Sequence, residues 1–288
     1  MTQLQVDAQT PVDPALPLVS VMMPAYNAEA HIGAAIDSVI AQTYTNWELV
    51  VVDDGSTDGT RAVIERYAAA DARIRPVFAP HGGRGRARNI CVSHCRGEFV
   101  AMLDSDDVTL PTRFERQVQF LLGHSDIGAV SGQCCSFTTT PVVDPARAMP
   151  WPQEPEAIRN RYLSGKMGLV NGAAMVRRKL FDQFGGYDER LLRAQDYEFF
   201  RRLVLRGVGL AALPDIVLLY RQENLIPSAK YFVESQMFHR YAHYLMDGGQ
   251  APYSEQKQAL PMRLYEYYLR TKYIYFFLKL KFMYRNAN

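Results

Sequence analysis

The chain has 288 residues, 48% of them hydrophobic and 22% charged, with 32 Lys+Arg against 30 Asp+Glu for a formal net charge of +2. That balance fits one sizeable globular domain with appendages. It argues against a dedicated nucleic-acid binder, which would carry a basic face or a pI above about 9.

Four cysteines, Cys91, Cys95, Cys134 and Cys135, are too few and too oddly spaced for a disulfide framework, and no His or Cys pair completes a zinc site near them. They read as reduced structural thiols. Residues 1–17 lack a basic start and a long apolar stretch and include Pro11, Pro14 and Pro17, the pattern of a flexible leader rather than a signal peptide. No stretch approaches the roughly 20 apolar residues of a membrane-spanning helix. The expected compartment is therefore the cytoplasm.

Residues 18–24 read as a buried strand running into Ala25-Tyr26-Asn27-Ala28-Glu29, before a helix with Ile32, Ala35, Ile36, Val39 and Ile40 on one face. A second strand over 48–52 ends in Asp53-Asp54-Gly55-Ser56-Thr57-Asp58-Gly59, whose side chains can cap a helix beginning near Thr60. Residues 74–79 form a third strand, in which Pro76 favours a short or edge position. His81-Gly82-Gly83 then enters a helix carrying Arg84, Arg86 and Arg88. Backbone amides at such a helix start bind anions, and these arginines can add charge-assisted contacts to phosphate or sit as a solvated basic turn.

The apolar run 99–103 is a fourth strand, and it delivers Asp104-Ser105-Asp106-Asp107 at its end. Several acids in a short loop suit a hard divalent cation, and Mg²⁺ completes its shell with water and substrate phosphates. Alternating strands and helices with polar loops at the strand ends predict an α/β fold with a mostly parallel sheet. In such sheets ligands bind beyond the carboxyl ends of the strands. Farther on, Pro111 opens a helix with Phe114, Val118, Leu121 and Leu122 on one face, and Ile127–Phe137 is a strand. Residues 138–155 are a Pro-rich boundary, 171–176 a strand, 179–184 a short helix stopped by Gly185-Gly186, and 195–203 a helix beginning Gln195-Asp196-Tyr197.

Taken together, Pro24 to Glu29, Val52 to Asp58, Ala87-Arg88-Asn89, Leu103 to Asp107, Gly185-Gly186-Tyr187-Asp188-Glu189 and Gln195-Asp196-Tyr197 resemble, in order, the motifs of glycosyltransferase family 2, the inverting nucleotide-sugar transferases. The resemblance covers roughly residues 19–221. It implies the GT-A fold, a Rossmann-like sheet flanked by helices with an acceptor-side subregion. The catalytic domain would span 18–225, with a nucleotide half over 18–137 and an acceptor half over 155–225, and 226–288 would form a helical C-terminal extension.

By the same resemblance the nucleotide-sugar site comprises Pro24, Ala25, Tyr26, Asn27, Glu29, Asp53, Asp54, Arg84, Arg88, Asp104 and Ser105. Tyr26, Glu29 and Asp54 would serve the base and ribose, Asp53 sharing that task, and Asp104 the ribose or diphosphate. Asp106 would be the ligand to Mn²⁺ or Mg²⁺, and Asp107 either a second ligand or a helix cap. Asp196 would be the catalytic base. Gln195 stands where the family often has Glu, so a second carboxylate is missing there. Uridine is the expected base, with thymidine or guanosine as alternatives.

The implied activity is metal-dependent, inverting transfer of a sugar from a nucleoside diphosphate to a glycan or lipid-linked acceptor, by an enzyme that takes no nucleic acid; a homo-oligomer is left open. A dinucleotide oxidoreductase would need Gly-x-Gly-x-x-Gly where this chain has Pro24-Ala25-Tyr26-Asn27. A nucleotidyltransferase could share the nucleotide half but gives no role to Asp196, and a non-catalytic sugar-binding module would not need the carboxylates. The Gln-x-x-Arg-Trp motif of processive membrane synthases is absent. The tail over 263–285 mixes aromatic and basic residues. It is expected either to attach peripherally to an anionic membrane at its cytoplasmic face or to pack on the catalytic domain or a partner.

Overall fold

The structure, a computed structural model, describes residues 16–222, 229–259, 262–263 and 265–272. Strand β1 (Val19–Ala25) and strand β2 (Trp47–Asp53) are buried almost throughout. That is why they read as largely apolar runs: parallel strands covered by helices on both faces have no solvent side. Helix α1 (Ile32–Ile40) crosses from β1 to β2, and helix α2 (Thr60–Ala70) crosses to strand β3 (Ile74–Phe78). Helix α3 (Arg84–His94) then returns the chain to strand β4 (Phe99–Met102), on the other side of β1. The order β3-β2-β1-β4 therefore reverses direction between β1 and β4, and the crevice at their carboxyl ends is where ligands bind in such sheets. Pro76 lies in β3 at the sheet edge, as expected.

Beyond β4 the sheet becomes mixed. Strand β8 (Met175–Arg177) pairs antiparallel with β4 and with strand β6 (Ile127–Phe137), which runs parallel to strand β9 (Gly209–Arg221). Strand β5 (Val108–Thr109) pairs with β9, and strand β7 (Ala148–Met149) with β6, both antiparallel. The remaining helices are α4 (Arg113–Gly123), α5 (Pro155–Leu163), α6 (Lys179–Phe184), α7 (Gln195–Leu205), α8 (Ala229–Met246) and α9 (Tyr253–Gln258).

Alternation along β1 sends Val21 and Met23 into a core with α1 and α4, and Met22 into a second core with α3 and α7. The second core also takes in Phe238, Tyr241, Ala242 and Leu245, so α8 belongs to the body of the molecule. All four cysteines are free and buried, in keeping with structural thiols; burial raises Cys91 well above its ordinary value and Cys95 to about 12.

Three local expectations change. Residues 171–173 form a 3-10 turn rather than the start of a strand, and Gly172 within it packs close to the acidic loop, where an added Cβ would stand 3.1 Å from Asp107 Oδ2. Leu122 is 57% exposed, off the face that buries Phe114, Val118 and Leu121. Of the two roles left open for Asp107, ligand or helix cap, the cap is not formed: α4 is preceded by Thr112 and has no side-chain cap. Asp107 Oδ1 accepts instead from the Arg221 amide at 2.8 Å, closing the end of β9.

Arg113 is fully buried on α4. Its guanidinium donates to the carbonyls of Met102, Gly172 and Ala174 at 2.9 to 3.0 Å and to Gln117 Oε1 at 3.0 Å. These bonds fix the end of β4, and hence the root of the acidic loop. No helix among the described residues is long and apolar enough to cross a membrane. Of the leader, residues 1–15 lie outside the described residues, as do Tyr273, Tyr275, Phe276, Phe277, Lys279, Lys281, Phe282, Tyr284 and Arg285 of the tail. In the described part of the tail, Leu269 is buried and Tyr265 packs against a cluster that includes Val233 and Met237 of α8, while Tyr267 and Tyr268 are exposed.

Candidate active site

The loops after β1 and β2 interlock through bonds between backbone amides and side-chain oxygens. Asn27 takes the left-handed conformation at φ 49°, a cost that persists only where neighbours hold the residue in place. Here its Oδ1 accepts from the Thr57 amide at 2.8 Å, and its own amide donates to Ser56 Oγ at 2.9 Å. The Ala28 amide donates to Thr60 Oγ1 at 2.7 Å, and Glu29 Oε2 accepts from the Gly59 amide at 2.9 Å. Asp53 is buried, with Oδ1 accepting from the Ser56 amide at 3.0 Å.

Asp54 is also buried and reaches across to the next loop: its two oxygens accept from the Gly82 and Gly83 amides at 2.8 and 2.9 Å. His81 Nδ1 lies 2.9 Å from the same carboxylate, and its ring stacks on Tyr26 with centroids 4.3 Å apart. Gly83 at φ 89° lets the chain turn into α3, whose start carries no side-chain cap. A helix start of this kind attracts anions.

On α3, Arg84 is exposed at the cleft, whereas Arg88 is buried and donates to Asp104 Oδ1 at 3.1 Å. Burial alone would lower the Arg88 guanidinium; Asp104, Tyr187 and Asp196 outweigh it, and the net shift is upward. Asn89 staples α3 to the loop that follows α6. Its Nδ2 donates to the Tyr187 carbonyl at 2.9 Å and to Glu189 Oε1 at 2.8 Å, and its Oδ1 accepts from the Tyr187 amide at 2.8 Å. Asn89→Ala removes all three bonds and is expected to cost about 1–3 kcal/mol in urea unfolding; a loss within about 0.5 kcal/mol would refute the staple.

In the acidic loop, Asp106 opens to the cleft, and desolvation by the walls together with the charge of Asp104 raises its carboxyl. Asp107 is raised well above the ordinary range by burial and by Asp104 and Asp106, and its Oδ2 has no hydrogen-bond partner. Arg221 Nε holds the loop at the Asp106 carbonyl, 2.9 Å away. Carboxyls crowded in this way are poised for a cation. Among the described residues no group of three or more His, Cys, Asp or Glu side chains is arranged to hold a metal unaided. Asp106 with substrate phosphates is the mode that Mg²⁺ commonly uses.

The first turn of α7 is set by Ala194, left-handed at φ 61°. Asp196 does not cap that helix from outside, since the capping position is Ala194 and lacks a side-chain bond. Its charge favours the protonated forms of Arg88 and of His239 of α8. Gln195 is buried beside Gly85, and its Nε2 has no partner.

A cleft of about 710 Å³ gathers Pro24, Ala25, Tyr26, Asn27, Asp54, Arg84, Arg88, Asp104, Ser105 and Asp106. Glu29, Asp53 and Asp196 are not among the residues that line it. Its far wall was not anticipated: Glu234 and Phe238 of α8 and Tyr253 and Lys257 of α9 close it, with Arg193 paired to Glu234 at 3.3 Å. Glu234 and Phe238 have i,i+4 spacing, but nothing in that segment marks which helix face meets a ligand. His81 was legible only as part of a glycine-rich turn.

The profile described as glycosyl transferase family 2 matches residues 20–185. The putative glycosyltransferase EpsE of Bacillus subtilis (strain 168) is 33% identical over 212 residues, 72% of this chain and 74% of that protein. The UDP-Glc:alpha-D-GlcNAc-diphosphoundecaprenol beta-1,3-glucosyltransferase WfgD of Escherichia coli is 43% identical over 106 residues, 36% of this chain and 41% of that one. Among solved structures, the mannosyltransferase PcManGT from Pyrobaculum calidifontis in complex with GDP-Man and Mn²⁺ superposes with a TM-score of 0.60 at 22% identity, covering 91% of this chain and 73% of that one. S. aureus TarS 1–349 in complex with UDP-GlcNAc also gives 0.60 at 22% identity, over 83% and 69%. These two likenesses concern the fold, whereas the sequence matches concern descent. The chain belongs to glycosyl transferase family 2 and is a glycosyltransferase of the GT-A fold.

Proposed function

We propose that this glycosyltransferase moves a sugar, with inversion, from a nucleoside diphosphate, a UDP-sugar first among them, to a hydroxyl of a glycan or lipid-linked acceptor. The observation that carries the reading is Arg88. Its buried guanidinium bonds Asp104 of the acidic loop at 3.1 Å, and the charge of Asp196 on α7 helps to keep it protonated. Inverting transfer needs the leaving group held on one side of the sugar and a proton acceptor on the other, and this reading gives those tasks to the acidic loop and to Asp196.

In this reading the Tyr26 ring, backed by His81, is the platform for the base. Asp54 spends both oxygens on the loop amides, so it shapes the pocket that receives the ribose. Glu29 and Asp53 hold the nucleotide loops together. The open amides at the start of α3, with Arg84 beside them, receive the diphosphate. Asp106 would hold Mn²⁺ or Mg²⁺, which when bound offsets charge on the departing diphosphate. Asp196 takes the proton from the attacking hydroxyl, and no covalent nucleophile is needed.

The experiment is a panel of UDP-, TDP- and GDP-sugars titrated calorimetrically with and without Mn²⁺, followed by assay of slow donor hydrolysis. One nucleotide series is expected to bind at least tenfold more tightly with Mn²⁺ and to release nucleoside diphosphate. Binding of none of them, with or without the metal, would overturn the proposal.

A further inference from the structure

The helical residues 262–263 and 265–272 divide into two faces. Met262 and Leu269 are buried, and Tyr265 packs beside them against a cluster with Val233 and Met237 of α8. The Tyr265 ring also lies under the Arg240 guanidinium of α8 at 4.7 Å. That face is docked. Arg263, Tyr267, Arg270 and Thr271 stand at i, i+4, i+7 and i+8, which places them on one stripe of a helix, and all four are exposed. Tyr267 is 72% exposed and Tyr268 55%. Lys272 is exposed one turn after Tyr268, with its ammonium 6.0 Å from the centroid of that ring.

Charge separates this stretch from the rest of the protein. Residues 263–288 hold six Lys or Arg and one acid, Glu266, which leaves 26 Lys or Arg against 29 Asp or Glu in residues 1–262. A chain close to neutral overall therefore gathers its positive charge at one place, the asymmetry expected of a segment that meets a polyanion. The single acid is largely covered and is paired with Arg270 at 2.7 Å, so it subtracts little from the outward face.

Of the common polyanions, an anionic bilayer fits best. Tyrosine is favoured at the headgroup level, where its ring meets the acyl boundary and its hydroxyl meets water. Lys and Arg clustered on a helix beside such rings are drawn to anionic headgroups. A nucleic-acid strand would call for a basic groove with rings inside it, whereas these side chains stand on the outer face of one helix. We propose that the exposed face over residues 263–272 is a docking surface for an anionic lipid bilayer. Val233 and Met237, against which this segment packs, each precede by one residue Glu234 and Phe238, which wall the cleft. The lipid face and the active site thus hang on the same helix, and an acceptor carried in that bilayer is collected beside the cleft. This last step rests on the lipid-linked acceptor of the proposed function; the lipid face itself does not.

The test is co-sedimentation of the full chain with vesicles of phosphatidylcholine alone and of phosphatidylcholine with phosphatidylglycerol, beside calorimetry of nucleotide-sugar binding with Mn²⁺. Binding to the anionic vesicles is expected to be at least about tenfold tighter than to the neutral ones, and to fade as salt rises from about 0.1 M to about 1 M. Arg263→Gln combined with Lys272→Gln should weaken it by about tenfold or more. Tyr267→Ser combined with Tyr268→Ser should weaken it by about fivefold or more. All four positions are exposed, so melting temperature and donor binding should stay at parent values in both variants. Equal binding to neutral and anionic vesicles, no binding to either, or unaltered binding in both folded variants overturns the proposal. A DNA duplex bound as tightly as the anionic vesicles, with the same sensitivity to the substitutions, overturns it too. Vesicle binding as expected in a chain that binds no nucleotide sugar would strike the proposed function and leave the lipid face standing.

Discussion

Asp196→Asn is expected to lower sugar transfer by about 10²–10⁴-fold, the usual contribution of a positioned general base, while donor binding with Mn²⁺ stays within about twofold of the parent chain. The amide matches the carboxylate in shape, so the turn fixed by Ala194 and the bond from the Tyr197 amide to the Asp196 side chain can persist. What is lost is the capacity to take a proton. Arg88 keeps Asp104 as its bonded partner, so the cleft wall should hold its position. Single-turnover transfer beside calorimetric donor binding separates the two effects. Near-normal turnover would remove Asp196 from the chemistry and leave it as a charge that balances Arg88. Loss of donor binding alongside transfer would make it part of the cleft architecture instead.

The parts of this site that could be read from the sequence are those that physical constraints write locally. A strand buried on both faces is apolar for most of its length, so β1, β2 and β4 announced themselves, and with them the loops at their ends. The acidic loop was visible because four polar residues follow such a strand at once. Asn89 was visible as part of a motif, but its task was not: three bonds to residues nearly a hundred positions away have no local signature. Asp107 shows the same limit from the other side. Its nearest helix made a cap plausible, yet its partner is the amide of Arg221 at the far end of β9.

The C-terminal wall was the least legible. Glu234, Phe238, Tyr253 and Lys257 meet the cleft only because α8 packs on α7 and α9 on α8, and their spacing is that of any amphipathic helix. The same folding turns part of the aromatic segment toward the core. Tyr265 packs beside Met262 and Leu269, which favours docking for the described part of the tail. Aromatic content alone left both membrane attachment and packing open, with packing slightly preferred because aromatic stripes usually belong to cores.

Asp106→Asn is expected to abolish the gain in donor affinity that Mn²⁺ gives the parent chain, a loss of at least tenfold, and to leave metal-free nucleotide binding little changed. The sign of the accompanying pH effect follows from the direction of its shift. Burial, and then Asp104, raise the carboxyl of Asp106 above its ordinary value of 3.8. The folded, metal-free chain therefore holds this proton more tightly than the unfolded chain does. The contribution to stability is complete below the ordinary value and is lost as pH rises through the raised one.

A cation must displace that proton, so Mn²⁺ affinity should weaken as pH falls through the same window, and binding there should release protons. Calorimetry in two buffers of different ionisation enthalpy reads that release directly, and it should vanish in Asp106→Asn. In the variant the repulsion from Asp104 is gone without any metal, so its melting temperature should equal or exceed that of the parent above the raised value. A site built for a cation is destabilised until the cation arrives, and removing its ligand should relieve that cost as it ends the binding. If Asp106→Asn kept the Mn²⁺-dependent donor affinity, the acidic loop would have to hold the diphosphate through Arg84 and the α3 amides alone, and Asp106 would be no ligand.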